Sequence, residues 1–144
     1  MQLFRTAISA LSAAVLCGCA TLAGDGGFDV SQIRVYNSVI TNGGSGTKYE
    51  EIPTSSVQKK DHVYVVTHLR WNPELGDLGT HHFTWTWYSG DSIVAKRAKD
   101  LDMKTTPYRV WWGFQAAFFE NGHYRVDVAI DGKVIDSHEF NITD

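Results

Sequence analysis

Several residue types capable of catalysis or metal binding occur in this chain, but their spacing matches no catalytic or metal motif. Six histidines are present, and no His-x-His, Cys-x-x-Cys or His-Glu-x-x-His pattern connects them. His81 and His82 are adjacent, and neighbouring residues of a regular strand point to opposite faces, so the two rings cannot chelate one ion together. We therefore expect no metal site and no cofactor.

The remaining candidates for catalysis are one serine and one pair of aspartates. Ser45 lies in a Gly-Gly-Ser-Gly segment, which lacks both the Gly-x-Ser-x-Gly spacing of a nucleophile elbow and a following helix. Asp100 and Asp102 stand two residues apart, but lysines and an arginine surround them, which is typical of a solvated, salt-bridged connection. The sequence therefore predicts a protein that is not an enzyme. A hydrolase or metal-dependent enzyme is the least favoured of the functions considered.

One aromatic segment indicates a binding surface. It begins at position 110 with Val-Trp-Trp-Gly-Phe-Gln-Ala-Ala-Phe-Phe, and on a continuous strand Trp111 and Phe119 share the face opposite the core. The outer face of a sandwich is usually polar, so two rings there could form an exposed platform for a partner or ligand. We favour the other interpretation, in which a neighbouring loop, such as residues 97–106, covers both rings. His82 and Tyr88, which share the outward face of another strand, extend the platform if the two strands are adjacent.

Alternating hydrophobic patterns place these residues on the strands of an all-β domain. The clearest pattern has Phe83, Trp85 and Trp87 on one face and polar residues between them. Asp131-Gly132 is a strong signal for a two-residue hairpin. About seven short strands with turns every 8 to 12 residues predict an antiparallel sandwich. The extended segments are residues 31–40, 48–52, 62–71, 82–88, 93–96, 108–119, 124–130 and 133–142.

Two segments resemble strands of immunoglobulin-like (Ig-like) domains. Gly122-His123-Tyr124-Arg125-Val126 is similar to the start of strand F, where the tyrosine hydroxyl hydrogen-bonds back to the preceding corner. The segment 83–91 is similar to strand C, with its buried tryptophan and short turn. The resemblance covers residues 62–142 and implies a single Ig-like antiparallel β-sandwich over residues 28–144. Apolar residues such as Val65 or Val126 take the places of the cysteine pair of antibody domains.

The amino-terminal residues indicate export. Arg5 precedes an uncharged run over residues 6–16, which is the pattern of a secretory signal and is too short to span a bilayer. The following Leu-Cys-Gly-Cys, ending at Cys19, resembles the lipobox of bacterial lipoproteins, in which the cysteine after a small residue is diacylated and becomes the new amino terminus. A plain cleavage site near Cys19 is the alternative.

The lipobox resemblance implies a cellular location as well as a lipid anchor. Residues 1–18 are then a signal peptide, Cys19 carries the lipid, and residues 19–27 form a flexible tether. Ala20 in place of aspartate favours the outer membrane of a Gram-negative bacterium. The carboxy-terminal half is also similar to Ig-like lipoproteins of proteobacteria, which share a Trp-Tyr strand and a Gly-x-Tyr/Trp-Arg-Val strand. That resemblance implies a fold and a location, but no activity.

Composition restricts the partners of this domain. The formal net charge is −3 without a basic cluster, which argues against nucleic acid. We expect a membrane-anchored, non-catalytic binding or assembly accessory that faces the periplasm and contacts another envelope protein. The alternative is a carbohydrate-binding module for peptidoglycan or an exported polysaccharide, with Trp111, Phe119 or Tyr88 stacking on sugar rings.

Overall fold

Eight β-strands dominate the part of the chain that the structure, a computed structural model, describes, namely residues 29–43 and 51–144. The strands are β1 (Arg34–Thr41), β2 (Ser56–Gln58), β3 (His62–Arg70), β4 (Thr80–Ser89), β5 (Ser92–Asp102), β6 (Tyr108–Gln115), β7 (Gly122–Ile130) and β8 (Lys133–Thr143). Short 3-10 helices occur at Val30–Gln32, Pro73–Leu75 and Ala116–Phe118. No helix in these ranges is long and apolar enough to cross a bilayer. The predicted signal peptide, Cys19 and the tether lie outside the described residues.

The strands form a sandwich of two sheets. One sheet has the order β1-β3-β6 and the other the order β2-β8-β7-β4-β5. All pairs are antiparallel except β2 with β8, which run parallel. In the Ig-like fold, β1, β3 and β6 correspond to strands A, B and E, and β4, β7 and β8 correspond to C, F and G. The prediction of an all-β, Ig-like sandwich is confirmed, with eight strands in the described residues where about seven were expected.

The core lies between the two sheets and is rich in aromatic side chains. Phe83, Trp85 and Trp87 on β4 are at most 1% exposed, as the alternation of this strand predicts. Residues of β6 pack against them from the facing sheet: the ring centroids of Trp85 and Trp112 are 5.6 Å apart, and those of Trp87 and Phe114 are 5.4 Å apart. Aromatic burial thus joins β4 to β6 across the sandwich.

Two local signals in the sequence determine the turns around β7. The Tyr124 hydroxyl donates a hydrogen bond to the carbonyl of Glu120 at 2.8 Å, which confirms the tyrosine corner. Asp131 and Gly132 have φ values of 49° and 82°, as a two-residue hairpin requires, and connect β7 to β8. Val65 and Val126, expected in place of the cysteine pair, are both fully buried.

Three strand predictions are wrong. Residues 97–102, expected in a loop, belong to β5, an exposed edge strand whose polar composition conceals its conformation. The segment expected at 108–119 ends as a strand at Gln115. Glu51 and Ile52, expected in a short edge strand at 48–52, are not in a strand, and residues 48–50 of that segment lie outside the described ranges. The short edge strand is β2, which pairs with β8.

Candidate functional site

The outer surface of the three-stranded sheet carries a cluster of aromatic side chains, here called the aromatic face: His62, Tyr64 and Trp111. Trp111 is 45% exposed. The ring of Tyr64 meets Trp111 edge-on, with centroids 5.8 Å apart, and stacks on His62 at 5.7 Å with an interplanar angle of 9°. A solvent-facing tryptophan thus contacts the edge of Tyr64, which in turn stacks on His62.

Strand register and one glycine position this face. Alternation along β3 points His62 and Tyr64 away from the core, and Tyr64 is the direct ladder partner of Gly113 on β6. The Tyr64 ring lies over Gly113: a Cβ atom at Gly113 would be 2.2 Å from Tyr64 Cδ1 and 2.6 Å from the carbonyl oxygen of Val63. The missing side chain therefore allows the Tyr64 ring to lie flat beside Trp111.

A charged cluster, here called the polar cluster, lies on the same outer surface and consists of Glu51, His68 and Arg109. The Arg109 Nε–H donates to Glu51 Oε1 at 2.6 Å, and His68 Nε2 is 2.5 Å from Glu51 Oε2. Burial raises the pKa of the Glu51 carboxyl, but the hydrogen bonds from Arg109 and His68 outweigh it, so the pKa lies below its usual value. Arg109 and Trp111 share one face of β6, so the polar cluster borders the aromatic face.

The structure separates Trp111 from Phe119. Trp111 lies on the outer face of β6, as the alternation predicts, and is exposed rather than covered by residues 97–106, whereas Phe119 is only 6% exposed and contacts Trp87 and Tyr124 in the core. The expectation that Phe119 shares the outer face is wrong, because the 3-10 turn after Gln115 interrupts the alternation. The turn leaves Phe118 75% exposed and brings Phe119 inward.

His82 and Tyr88 lie on the outer surface of the other sheet. Their strand, β4, pairs with β5 and β7, so it is not adjacent to β6 and cannot extend the aromatic face. His82 Nδ1 is 2.6 Å from a carboxylate oxygen of Asp100, and the half-buried Tyr88 ring lies 4.4 Å below the Arg125 guanidinium. The four residues expected to form one surface therefore occupy three environments. Residues 97–102, which belong to the loop expected to cover Trp111 and Phe119, form part of β5 at the edge of the sheet that contains β4.

A polar cluster between the sheets, here called the inter-sheet cluster, has no counterpart in the sequence motifs. Ser38 on β1 and Thr67 on β3 both donate hydrogen bonds to Asp136 Oδ2 on β8, the latter at 3.1 Å. His138 Nε2 is 2.7 Å from Ser38 Oγ and 3.2 Å from the same Asp136 oxygen. Asp136 and His138 are two residues apart and therefore share one face of β8. Ser38 lies about 100 residues earlier in the chain, so no local sequence pattern connects it to them.

The inter-sheet cluster contains serine, histidine and aspartate, yet its geometry is not that of a catalytic triad. In a triad the aspartate binds one ring nitrogen and the serine the other. Here Ser38 and Asp136 contact the same His138 nitrogen, and the serine hydroxyl donates directly to the carboxylate, so His138 is not placed to remove that proton. Burial raises the pKa of Asp136, but hydrogen bonds from His138, Ser38 and Thr67 outweigh it and hold the pKa below its usual value.

Within residues 29–43 and 51–144, no group of three or more His, Cys, Asp or Glu side chains is arranged to hold a metal ion. His81, one of the two adjacent histidines, instead binds Asp131 at 2.7 Å through Nδ1 and the Leu78 carbonyl at 2.9 Å through Nε2. These interactions tie the start of β4 to the β7–β8 hairpin.

Comparison with known proteins identifies a fold. No protein-family model and no curated protein matches the chain. An immunoglobulin-like protein from Pseudomonas aeruginosa is similar over 77% of this chain and 96% of its own, with 11% identity and a TM-score of 0.51. An alkylpurine DNA glycosylase from Pseudomonas fluorescens, bound to DNA containing an abasic site analog, is similar over 78% of this chain and 31% of its own, with 10% identity and a TM-score of 0.54. At such identities the likeness shows an Ig-like sandwich and no activity.

Proposed function

We propose that this protein is a non-catalytic binding or assembly accessory of the bacterial cell envelope, anchored in the outer membrane through a lipid on Cys19 and facing the periplasm. The aromatic face is the contact surface for another envelope protein. The single observation that carries the proposal is the exposed Trp111 ring, supported by Tyr64 and bordered by the Glu51–Arg109 ion pair.

The composition of this surface supports a protein partner. Tryptophan, tyrosine and arginine are the residues most enriched where interfaces concentrate their binding energy. Tyr64 contacts one side of Trp111, and a tryptophan has only two side-chain torsions to order on binding. A lipid anchor would confine this domain and its partner to one surface, which raises their effective concentration and makes a weak contact sufficient.

In-cell photocrosslinking tests the contact surface. A photoreactive residue replaces Trp111 in the anchored protein, and the matched control carries it at His82, which is also exposed but lies on the opposite sheet. We expect one dominant protein adduct from position 111 and none from position 82. Equal adducts from both positions, or none from position 111, would contradict the proposed surface.

Membrane fractionation tests the anchor separately. Cys19→Ala should release the protein into the soluble periplasmic fraction, because acylation needs the cysteine thiol. Cys17→Ala is the matched control and should stay with the membrane, since only Cys19 takes the lipid in the proposed lipobox. Membrane association of the Cys19→Ala protein would contradict the anchor while leaving the contact surface open to the crosslinking test.

Glycan binding is the second candidate. The Tyr64 ring packs against the backbone of Gly113, which favours a glycan because sugar rings pack on fixed aromatic planes. All five tryptophans lie in the described part of the chain, and only Trp111 among them is exposed. Quenching of tryptophan fluorescence by peptidoglycan fragments, lost in Trp111→Phe, would therefore support a glycan partner. An unchanged spectrum at saturating glycan would count against it.

A further inference from the structure

Two arginines at the start of the sandwich face each other without a countercharge. Arg34 on β1 and Arg70 on β3 are direct partners in the antiparallel ladder, and both are exposed. Neither guanidinium forms an ion pair with any residue in 29–43 or 51–144. Like charges directly opposite one another destabilise a strand pair. The pair is thus a local cationic position in a chain with a formal net charge of −3.

The two arginines line a cavity of about 470 Å³ at this end of the molecule. Polar side chains of Ser31, Gln32 and Asn72 contribute to its lining, and one wall is Trp71. The indole N–H of Trp71 donates to the Gly76 carbonyl at 3.2 Å, which fixes that wall. The lining thus combines two arginines and three neutral polar residues with the apolar Trp71 and Leu75.

The acidic side chains near this cavity are engaged elsewhere. Asp29 accepts hydrogen bonds from the backbone N–H and the hydroxyl of Ser31, at 2.8 and 2.5 Å, and so caps the first 3-10 helix. Glu74 accepts from the Asn72 side chain at 3.4 Å. Neither residue lines the cavity, and neither forms an ion pair with Arg34 or Arg70.

We propose that Arg34 and Arg70 form a binding site for a phosphate-type oxyanion. The planar guanidinium fork matches two oxygens of a phosphate, and two such groups compensate the charge of one phosphate ester. Arg70 is held in place by the Tyr36 ring, whose centroid is 4.6 Å from its Cζ atom. Bound phosphate would also relieve the repulsion between the two strands.

The phosphate group that this site would bind has two sources, a phospholipid headgroup and a free phosphate compound. The cavity lies beside Val30–Gln32, where the described chain begins, and the segment from Cys19 to Asp29 extends at most about 35 Å. A headgroup of the membrane to which Cys19 is proposed to attach is therefore within reach. Arg70 is six residues along β3 from Tyr64, about 20 Å, so this site is separate from the aromatic face.

Nuclear magnetic resonance titration tests the site. The nitrogen-15-labelled full chain carrying Cys19→Ala is titrated with inorganic phosphate at constant ionic strength, and the arginine Nε–H signals are followed. Arg34→Gln and Arg70→Gln are the test variants, and Lys99→Gln on β5 is the control with the same change in charge. The same proteins are mixed with vesicles of phosphatidylcholine alone or with about 30 mol% phosphatidylglycerol.

We expect saturable shifts of the Arg34 and Arg70 signals, with binding weakened about tenfold or more in either arginine variant and unchanged in Lys99→Gln. Shifts with inorganic phosphate identify a site that free phosphate compounds can fill. Binding only to vesicles that contain phosphatidylglycerol identifies the headgroup as the ligand. No response to either probe, or an equal loss in Lys99→Gln, would overturn the site without affecting the proposed contact surface at Trp111.

Discussion

Replacement of Asp136 by asparagine removes the acceptor on which the inter-sheet cluster depends. The Asp136 side chain is only 12% exposed and accepts hydrogen bonds from Ser38 and Thr67, with His138 Nε2 at 3.2 Å. These donors come from β1, β3 and β8, so the carboxylate links the two sheets near one edge. Asparagine keeps one oxygen, and its amide N–H groups face donors that previously had an acceptor.

The expected cost follows from the hydrogen bonds that the substitution weakens or removes. A hydrogen bond to a charged group contributes about 1.5–3 kcal/mol, and a buried donor left without its acceptor costs about 1–3 kcal/mol. Because one amide oxygen can still serve part of the cluster, we expect Asp136→Asn to lower the free energy of unfolding by about 2–4 kcal/mol near neutral pH. Asp91→Asn, at the exposed β4–β5 turn, is the matched control and should cost less than about 0.5 kcal/mol.

The same cluster makes a prediction about pH. The pKa of Asp136 in the folded protein is below the reference value of 3.8, so folding favours its ionised form. Its contribution to stability is therefore complete above the unfolded pKa and is lost as pH falls through the folded pKa. The stability difference between the natural protein and Asp136→Asn should therefore shrink as pH falls below about 4.

Urea denaturation followed by circular dichroism, repeated from about pH 7 to pH 3, measures both effects. Subtracting the curve of Asp136→Asn from that of the natural protein removes the contributions of other carboxyl groups, such as Glu51, that titrate in both. Equal urea midpoints for Asp136→Asn and Asp91→Asn at neutral pH would refute the reasoning. So would a stability difference that stays constant through the acidic range. Ser38→Ala should cost much less in the Asp136→Asn background than alone, since the two residues share one interaction.

Four further substitutions test the packing, each by urea denaturation. Gly113→Ala should destabilise by about 2 kcal/mol or more and alter the near-ultraviolet circular dichroism of the aromatic face, because its Cβ would lie 2.2 Å from the Tyr64 ring; a neutral result would contradict the close packing. Tyr124→Phe should cost about 1 kcal/mol through loss of its hydrogen bond to the corner carbonyl, and an unchanged midpoint would show that this bond contributes nothing. Phe119→Ala should cost about 3–5 kcal/mol and Phe118→Ala almost nothing, and equal costs would contradict the inward turn at Phe119.

The local features of the fold were predictable because they depend on neighbouring residues. The alternation of Phe83, Trp85 and Trp87 specifies a strand with one buried face, and the side-chain period of two makes this visible over a few residues. Asp131-Gly132 specifies its hairpin because both positions adopt positive φ. The tyrosine corner joins Tyr124 to a residue only four positions away. Each of these signals is contained within one segment, so the sequence alone is sufficient.

The candidate surface was only partly predictable, because strand neighbours and turns depend on distant contacts. The sequence identified Trp111 as outward-facing, but a single 3-10 turn placed Phe119 in the core instead of beside it. The mostly charged segment 97–102 shows no strand pattern, since an edge strand that is exposed at nearly all positions has no hydrophobic alternation.

Local backbone and side-chain preferences specify the sandwich fold class, the aromatic strand β4 and the turns on either side of β7. Contacts between distant residues follow instead from how the strands assemble. This assembly placed His82 and Tyr88 on the sheet opposite Trp111, joined Ser38 to Asp136, and brought Arg34 against Arg70. The physical reason is that strand order and register follow from the joint burial of both sheets, to which every strand contributes at once.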